Sequence, residues 1–240
     1  GDFLFREMVR DGRVMRVHKD GVTKGGGFLE DYAAVALAAV ALYELTLDTG
    51  WLTRAQEISA QMVRWFWDDG MGGFFDTAHD HEVLIARPRE RTDNAVPAGN
   101  SLAAELLLRL GAVQANAEER RRGAWVVETV GEAMYRYPAA FGHALGAAEL
   151  AVHGALEVAI TGTPAAPDFE VLLRETTERY LPSLVLAAGV ARGVALLDGR
   201  GAPDGRAMAY VCRGNVCEAP ETDAGSLARA LERATGELSP

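Results

Sequence analysis

The sequence predicts a mainly α-helical fold, in which an array of helical hairpins forms part of an (α/α) toroid and a small C-terminal α/β segment follows. Two observations lead to this fold class. Nearly all-apolar helical segments alternate with amphipathic ones over residues 1–154, which is typical of layered arrays of buried and half-exposed helices. Over residues 155–240, short β-type runs alternate with helical patterns, which favours a small α/β layer. We therefore predict one domain for each range.

The helical array is predicted to begin after three consecutive glycines, a composition that disfavours a regular element. Leu29–Leu47 is apolar nearly all round, so we expect a helix that is buried on every side. Gly50 is a candidate left-handed cap for its end, and Thr53–Gln56 is a candidate capping box for an amphipathic second helix. The other predicted elements of this domain are a helix end at Phe3–Arg10, an extended piece at Arg13–His18, and helices at Asn100–Leu110, Glu118–Tyr137 and Ala139–Val152.

The C-terminal segment is predicted from short apolar runs that glycine and proline separate. The predicted strands are Leu156–Thr161, Ser183–Ala188, Gly193–Leu197 and Ala207–Val211, and the predicted helices are Asp168–Arg179 and a last one that Asp223 caps. Strands that alternate with helices in this way indicate a separate small layer.

Composition restricts the class of protein. The formal net charge is −10, whereas a nucleic-acid partner requires a basic surface. No apolar run reaches the roughly 18 residues that a membrane-spanning helix needs, so we expect no membrane partner and a cytoplasmic location. The two cysteines, Cys212 and Cys217, are too few for a disulfide scaffold, and both a local disulfide and free thiols are compatible with their spacing. The chain starts at Gly1 in mid-pattern, as expected for a fragment.

The long connection between the second and third helices is the most informative segment for function. It runs from Asp68 to Gly99, and loops longer than about 12 to 15 residues inside compact domains are usually functional or disordered. Its apolar content argues against disorder. Phe74-Phe75 and Val83-Leu84-Ile85 are predicted to pair as a hairpin over the mouth of the toroid.

Acidic residues at two helix starts define a candidate site. Alternate helices of a hairpin array point in the same direction, so the starts of the first and third helices are expected on one rim. We predict Asp31 and Asp93 as acid–base groups, with a raised pKa for Asp93 because clustered carboxylates repel one another. Four further residues are predicted to bind a substrate: Glu30, Asp76, Arg87 and Asn100.

Structural roles are the alternative for the same residues. Asp31 also suits a helix cap, and Asp93 also suits the bracing of a turn.

The sequence predicts neither a metal site nor a cofactor. The histidines of His79–Glu82 lie close together in an exposed turn without a partner pair elsewhere, and no cofactor motif is present.

Four motifs resemble one family in the order in which they occur. They are Leu29–Ala33, Gly72–Thr77, Asp93–Ser101 and Ala209–Cys212. With these motifs the chain resembles the C-terminal half of the thioredoxin-domain-containing, spermatogenesis-associated protein 20-like family. The resemblance implies an (α/α)6 toroid similar to N-acylglucosamine 2-epimerases and six-hairpin glycosidases, of which this chain holds fewer than half of the helices. The family's N-terminal thioredoxin-like domain is absent from the printed sequence.

Two functions are compatible with this resemblance. The first is binding or transformation of a carbohydrate-like small molecule at the toroid rim by carboxylate acid–base chemistry. The second is a non-catalytic scaffold or interaction module that serves a fused or partner thioredoxin-like domain. In both cases we expect the partner to include the missing N-terminal portion or a second copy of the chain, because the end repeats of such arrays need covering surfaces.

Overall fold

The protein is mainly α-helical, with about half of its residues in helices and two small β-sheets in addition. The computed structural model describes residues 1–82, 85–190, 193–214 and 216–236. The chain divides into two compact units, of which the first contains Gly1–Leu110 and Ala117–Ala151, and the second contains Gly111–Asn116 and Val152–Pro240. Within the described ranges, no helix is both long and apolar enough to cross a bilayer.

An antiparallel sheet, of which the sequence predicted only the middle strand, occupies the N-terminal end of the first unit. The chain begins with a π-helical turn at Leu4–Met8, and the three strands follow it. They are β1 (Val9–Arg10), β2 (Arg13–Lys19) and β3 (Val22–Gly26). Two-residue turns of Asp and Gly, with φ of 52° and 74° in the first and 53° and 75° in the second, join the strands. Positive φ at both positions is characteristic of type I′ hairpins. The predicted helix end is therefore wrong beyond Met8, and the predicted irregular glycine segment is wrong because β3 extends into it.

Helix α1, Leu29–Thr46, and helix α2, Thr49–Phe66, form a helical hairpin through a two-residue connection. Leu47 ends α1 in the left-handed region, with φ 58°. The side chain of Asp48 then caps α2 by accepting a hydrogen bond of 2.9 Å from the Gly50 N–H. The predicted caps, Gly50 and the box at Thr53–Gln56, are therefore both wrong, since these residues lie inside α2.

One face of α1 is exposed, against the prediction of burial on every side. The exposed positions of this face are Ala34, Ala38, Ala41 and Leu45, which we call the α1 stripe. Thr46, the last residue of the helix, is also exposed. The spacing of three and four residues places the stripe on one side of the helix, and Leu45 is 79% exposed. The opposite side, which includes Tyr32, Ala36 and Tyr43, is fully buried.

Four shorter helices complete the first unit. They are α3 (Gly99–Val113), α4 (Ala117–Glu128), α5 (Gly131–Arg136) and α6 (Gly142–His153). The single helix predicted for Glu118–Tyr137 is broken, because Val130 has a non-helical ψ of 1°. Helices α3 and α4 approach closely at Gly123, where a β-carbon would lie 2.8 Å from Leu108 and 3.0 Å from the carbonyl oxygen of Ala104.

The second unit contains a four-stranded mixed sheet with helices. Its strands are β4 (Leu156–Thr161), β5 (Leu184–Gly189), β6 (Met208–Arg213) and β7 (Val216–Cys217). Its helices are α7 (Pro167–Thr177), between β4 and β5, and α8 (Ala224–Thr235), after β7. The strand order is β5-β4-β6-β7; β4 and β5 are parallel, and the other pairs are antiparallel. The strand predicted at Gly193–Leu197 is wrong, since Ala195–Leu197 forms a 3₁₀ turn.

Candidate functional site

The start of α1 holds two of the predicted site residues in an ion-pair cluster. Asp31 Oδ2 accepts a hydrogen bond of 2.8 Å from the N–H of Phe28, the residue that precedes the helix. The guanidinium of Arg16, on β2, donates to Asp31 Oδ2 at 2.7 Å and to Glu30 Oε1 at 2.8 Å. Both carboxylates therefore neutralise the same cation, and Asp31 closes the first turn of the helix as a cap does.

Asp76 lies in the long connection, beside the start of α1. Its carbonyl oxygen accepts from the Leu29 N–H at 3.0 Å, and its Oδ2 accepts from the Glu90 N–H at 2.7 Å. Burial raises the pKa of the Asp76 carboxyl, and the nearby charges of Glu90 and Glu30 raise it further, while the hydrogen bond from Glu90 opposes them. Burial also lowers the pKa of the Arg87 guanidinium, so the fold disfavours the charged forms of both Asp76 and Arg87.

Arg87 folds back onto its own loop. Its guanidinium donates to the carbonyl oxygen of Thr77 and lies 4.0 Å from the centre of the Phe75 ring, which Arg89 also contacts, at 4.4 Å. Arg89 in turn forms an ion pair of 2.5 Å with Asp68. Both cations are thus held by cation–π contacts and by partners within the loop. Two residues of the predicted hairpin over the toroid mouth, Val83 and Leu84, lie outside the described residues.

Asn100 is buried in the first turn of α3 and pairs with the backbone of the long connection. Its Oδ1 accepts from the Phe74 N–H at 2.8 Å, and its Nδ2 donates to the Phe74 carbonyl at 3.0 Å and the Glu90 carbonyl at 3.2 Å. The side chain of Phe74 is itself fully buried. Asn100 therefore fixes the path of this loop with its amide group.

Asp93 joins the long connection to the start of α6. Its Oδ1 accepts from the Ala98 N–H at 2.8 Å, and its Oδ2 accepts from the N–H groups of His143 and Ala144 at 2.8 and 2.9 Å. Burial alone would raise the pKa of Asp93, but the hydrogen bonds from Ala144, Ala98, Ser101 and His143 outweigh it, and the pKa is lowered. The predicted rise of this pKa is wrong, because the backbone donors stabilise the carboxylate more than burial destabilises it.

The starts of α1 and α3 lie side by side, as predicted. A β-carbon at Gly99 would lie 3.0 Å from the Leu29 side chain and 3.1 Å from the backbone nitrogen of Glu30. The cavity beside the start of α3 has a volume of only about 10 Å³, which is room for about one water molecule. Of the six predicted site residues, Asn100 alone contributes to its lining.

A second carboxylate cluster near this cavity was not predicted. Glu105 on α3 lies 2.8 Å from His143 Nε2 on α6 and also binds Arg109 at 2.7 Å. Burial alone would raise the pKa of Glu105, yet His143 and Arg109 lower it to about 2, while Glu105 raises the pKa of His143. The sequence signal for this pair was weak, since a lone histidine on an apolar helix usually belongs to the core.

The second unit contains a larger crevice, which sequence reasoning also missed. It has a volume of about 200 Å³ and lies at the carboxyl ends of the parallel strands β4 and β5, where α/β sheets commonly bind ligands. Its lining comprises Thr161, Gly162, Thr163, Gly189, Val190, Arg200, Ala202 and Gly205. Near Arg200, Cys212 and Cys217 form a disulfide, which decides between the two cysteine states that the sequence left open.

No protein-family model matches the chain. The chain is similar to spermatogenesis-associated protein 20. Its identity to the protein from Homo sapiens is 30% over 249 aligned residues, which cover 95% of this chain and 31% of that protein. For the protein from Rattus norvegicus the identity is 29% over 215 residues, which cover 86% of this chain and 27% of the relative.

This chain therefore spans about a third of the length of spermatogenesis-associated protein 20. The homology that the four motifs predicted is confirmed.

Proposed function

We propose that this chain is a non-catalytic interaction module of a longer cytoplasmic protein. In this proposal it represents the C-terminal part of a spermatogenesis-associated protein 20-like protein and a portion of an (α/α)6 toroid. Its helices pack against further helical hairpins outside the printed sequence, and together they serve a thioredoxin-like domain. The similarity to relatives about three times as long supports this assignment.

The observation that carries the proposal is the α1 stripe. Its four residues are all apolar, although they face solvent in a helix whose other side is fully buried. A helix that is apolar all round normally lies between other elements. Ala34, Ala38 and Ala41 are also small enough to let a second helix approach closely, so we infer that a helix covers this face.

Helix α6 has a weaker exposed apolar surface. Leu145 and Val152 lie seven residues apart, hence on one face of the helix, and are 44% and 74% exposed. The exposed Glu149 lies between them on the same face, so the main support comes from the α1 stripe.

The polar rim residues favour a scaffold over an enzyme. Asp31, Asp93 and Asn100 use their oxygens or amides to hold backbone groups, and Arg87 is held within its own loop. A substrate would have to displace these bonds, and the adjoining cavity is small, with a volume of about 10 Å³.

The test is the oligomeric state of the isolated chain. Without the covering helices, we expect a second copy to occupy the α1 stripe, so that the mass measured by light scattering rises with protein concentration. Ala38→Lys and Leu45→Lys place a charge on the stripe and should return the chain to a monomer. Gln56→Lys, at an exposed position of α2, is the matched control and should leave association unchanged. A wild-type chain that stays monomeric at high concentration contradicts the proposal.

A second candidate function rests on Asp76. This half-buried carboxyl has a raised pKa and lies near the charges of Glu30 and Glu90, and a carboxyl that is protonated more readily than usual suits a general acid. With Glu30 and Asp31 beside it, the rim would bind a carbohydrate-like polyol through hydrogen bonds.

A thermal-shift screen against sugars and sugar phosphates distinguishes the two candidates. A ligand that binds the folded state raises Tm by mass action. If Asp76 takes part, Asp76→Asn should remove that response while the protein stays folded. A screen without any shift, together with the expected self-association, leaves the interaction module as the function.

A further inference from the structure

The two cysteines of the second unit occupy unequal positions in the sheet. Cys212 on β6 and Cys217 on β7 are direct partners in the antiparallel register, and a disulfide joins them. Cys212 is buried, with 2% of its surface accessible, whereas Cys217 is exposed on a two-residue edge strand. Cys217 is therefore the more accessible of the two cysteines to a reagent in solution.

A cation contacts both sulfur atoms. Arg200 Nη2 lies 3.4 Å from Cys212 Sγ and 3.8 Å from Cys217 Sγ. The other terminal nitrogen, Nη1, donates to the carbonyl oxygen of Leu196, which holds the guanidinium in place. A neighbouring arginine stabilises a thiolate relative to the neutral thiol. Arg200 therefore stabilises the thiolate that forms when the S–S bond opens. Because Arg200 lies closer to Cys212 Sγ than to Cys217 Sγ, it stabilises a thiolate on Cys212 more.

We propose that Cys212–Cys217 is a redox-active disulfide that exchanges with an external dithiol. One thiolate of the dithiol attacks Cys217 Sγ and forms a mixed disulfide with it. The S–S bond of the protein breaks, and its electron pair goes to Cys212 Sγ, which leaves as a thiolate beside Arg200. The second thiol of the dithiol loses its proton to water, and its thiolate attacks the dithiol's other sulfur, the one bonded to Cys217. The mixed S–S bond breaks, and Cys217 leaves as a thiolate that takes a proton from water. The dithiol is oxidised by two electrons, and the protein gains them.

The fold around the pair persists when the bond opens. The disulfide closes a loop with only four residues between the cysteines, and cross-links that close short loops restrict the unfolded chain least. Strand β6 keeps six register pairs with β4, from Met208 to Arg213, without any help from the cross-link. Reduction thus changes the chemical state of the pair while the sheet stays formed.

The first experiment compares Arg200→Gln and Arg200→Lys with the wild type. The native proteins are equilibrated with mixtures of reduced and oxidised dithiothreitol, and the fraction of reduced protein is measured by maleimide labelling and mass spectrometry. One pKa unit corresponds to a tenfold change in protonation equilibrium, so we expect Arg200→Gln to lower the equilibrium constant for reduction by at most about tenfold. The reduction rate should fall by a smaller factor, because it depends only partly on the pKa of the leaving thiol. Arg200→Lys retains the charge and should recover most of both. In concentrated urea the three proteins should not differ.

The second experiment does not depend on any arginine variant. In Cys217→Ser the buried Cys212 remains beside Arg200, and thiolate absorbance at 240 nm as a function of pH gives its pKa. We expect this pKa below the usual value for cysteine, about 8.5. In Cys212→Ser, the exposed Cys217 should form a mixed disulfide with glutathione faster than Cys212 does in Cys217→Ser. A Cys212 pKa at or above the usual value, equal reactivity of the two cysteines, or a native disulfide that dithiothreitol does not reduce would overturn the proposal.

Discussion

The side-chain amide of Asn100 binds both backbone groups of Phe74, with Oδ1 at 2.8 Å from the Phe74 nitrogen and Nδ2 at 3.0 Å from its carbonyl oxygen. This is the pairing that a neighbouring β-strand would provide. A helix residue thus acts as the partner strand for a loop, and the burial of Asn100 and Phe74 shields both hydrogen bonds from water.

Asn100→Ala should destabilise the first unit. The substitution leaves the N–H and C=O of Phe74 buried without their partner, and each unpaired buried group costs about 1 to 3 kcal/mol. Urea unfolding monitored by tryptophan fluorescence measures the loss. Asn94→Ala, at an exposed position of the same loop, is the control and should change the free energy of unfolding little. Equal stability of both variants would show that the loop does not depend on Asn100.

Asp93→Asn should lower the free energy of unfolding by about 1 to 3 kcal/mol, because an amide oxygen is a weaker acceptor for three backbone N–H groups than a carboxylate. The pKa of Asp93 is lowered from its ordinary value of 3.8. Its stabilising contribution is therefore fully present above pH 3.8 and is lost as the pH falls through the lowered pKa. Acid unfolding curves of wild type and variant should converge at low pH. Asp20→Asn, in the exposed turn before β3, is the control.

Asp76→Asn should change the stability in the opposite direction to Asp93→Asn. The pKa of Asp76 is raised above 3.8, so its ionisation disfavours the fold, and this cost grows as the pH rises from 3.8 through the raised pKa. The amide removes the charge but keeps an oxygen for the Glu90 N–H. We expect the variant to be at least as stable as wild type at pH 7, as measured by Tm. A clear drop in Tm would assign Asp76 an anchoring role like that of Asp93.

Ala36→Leu should destabilise the protein by about 1 to 3 kcal/mol through overpacking, because Ala36 lies on the fully buried side of α1. Ala38→Leu, two residues further along on the α1 stripe, adds the same atoms at an exposed position. At protein concentrations where the chain is monomeric, it should leave the unfolding midpoint nearly unchanged. If the two variants behave alike in denaturant titrations, the assignment of the two helix faces is incorrect.

Hydrophobic patterning predicted the helices better than their ends. Leu29–Leu47 was found as a helix because its apolar run is long, but its cap was assigned to Gly50, whereas Leu47 adopts the left-handed conformation itself. Only the middle strand of the N-terminal sheet was predicted, at Arg13–His18, although Asp11-Gly12 and Asp20-Gly21 are strong hairpin signals. The charges of that strand, Arg13, Arg16 and Lys19, recur every three residues, so the alternation typical of a half-buried strand is weak.

The candidate site was predictable in position but not in chemistry. The sequence predicts that the starts of α1 and α3 lie on one side, since alternate helices of a hairpin array point in the same direction, and Gly99 does lie against Leu29 and Glu30. The partners of Asp93 are the backbone N–H groups of His143 and Ala144, 50 and 51 residues away. A backbone group has no residue-specific signature, so the pKa of this carboxyl follows only from the three-dimensional structure.

The same separation of 50 residues has a consequence for the order of folding. The loop before α3 reaches its final shape only when α6 brings its first N–H groups to Asp93. The entropy of closing the intervening chain must be lost before these hydrogen bonds form. The α1–α2 hairpin needs no such closure, since its helices are adjacent in sequence. During refolding, amide protons of α1 and α2 should therefore gain protection from exchange before the Ala98 and Ala144 amides, which become protected together.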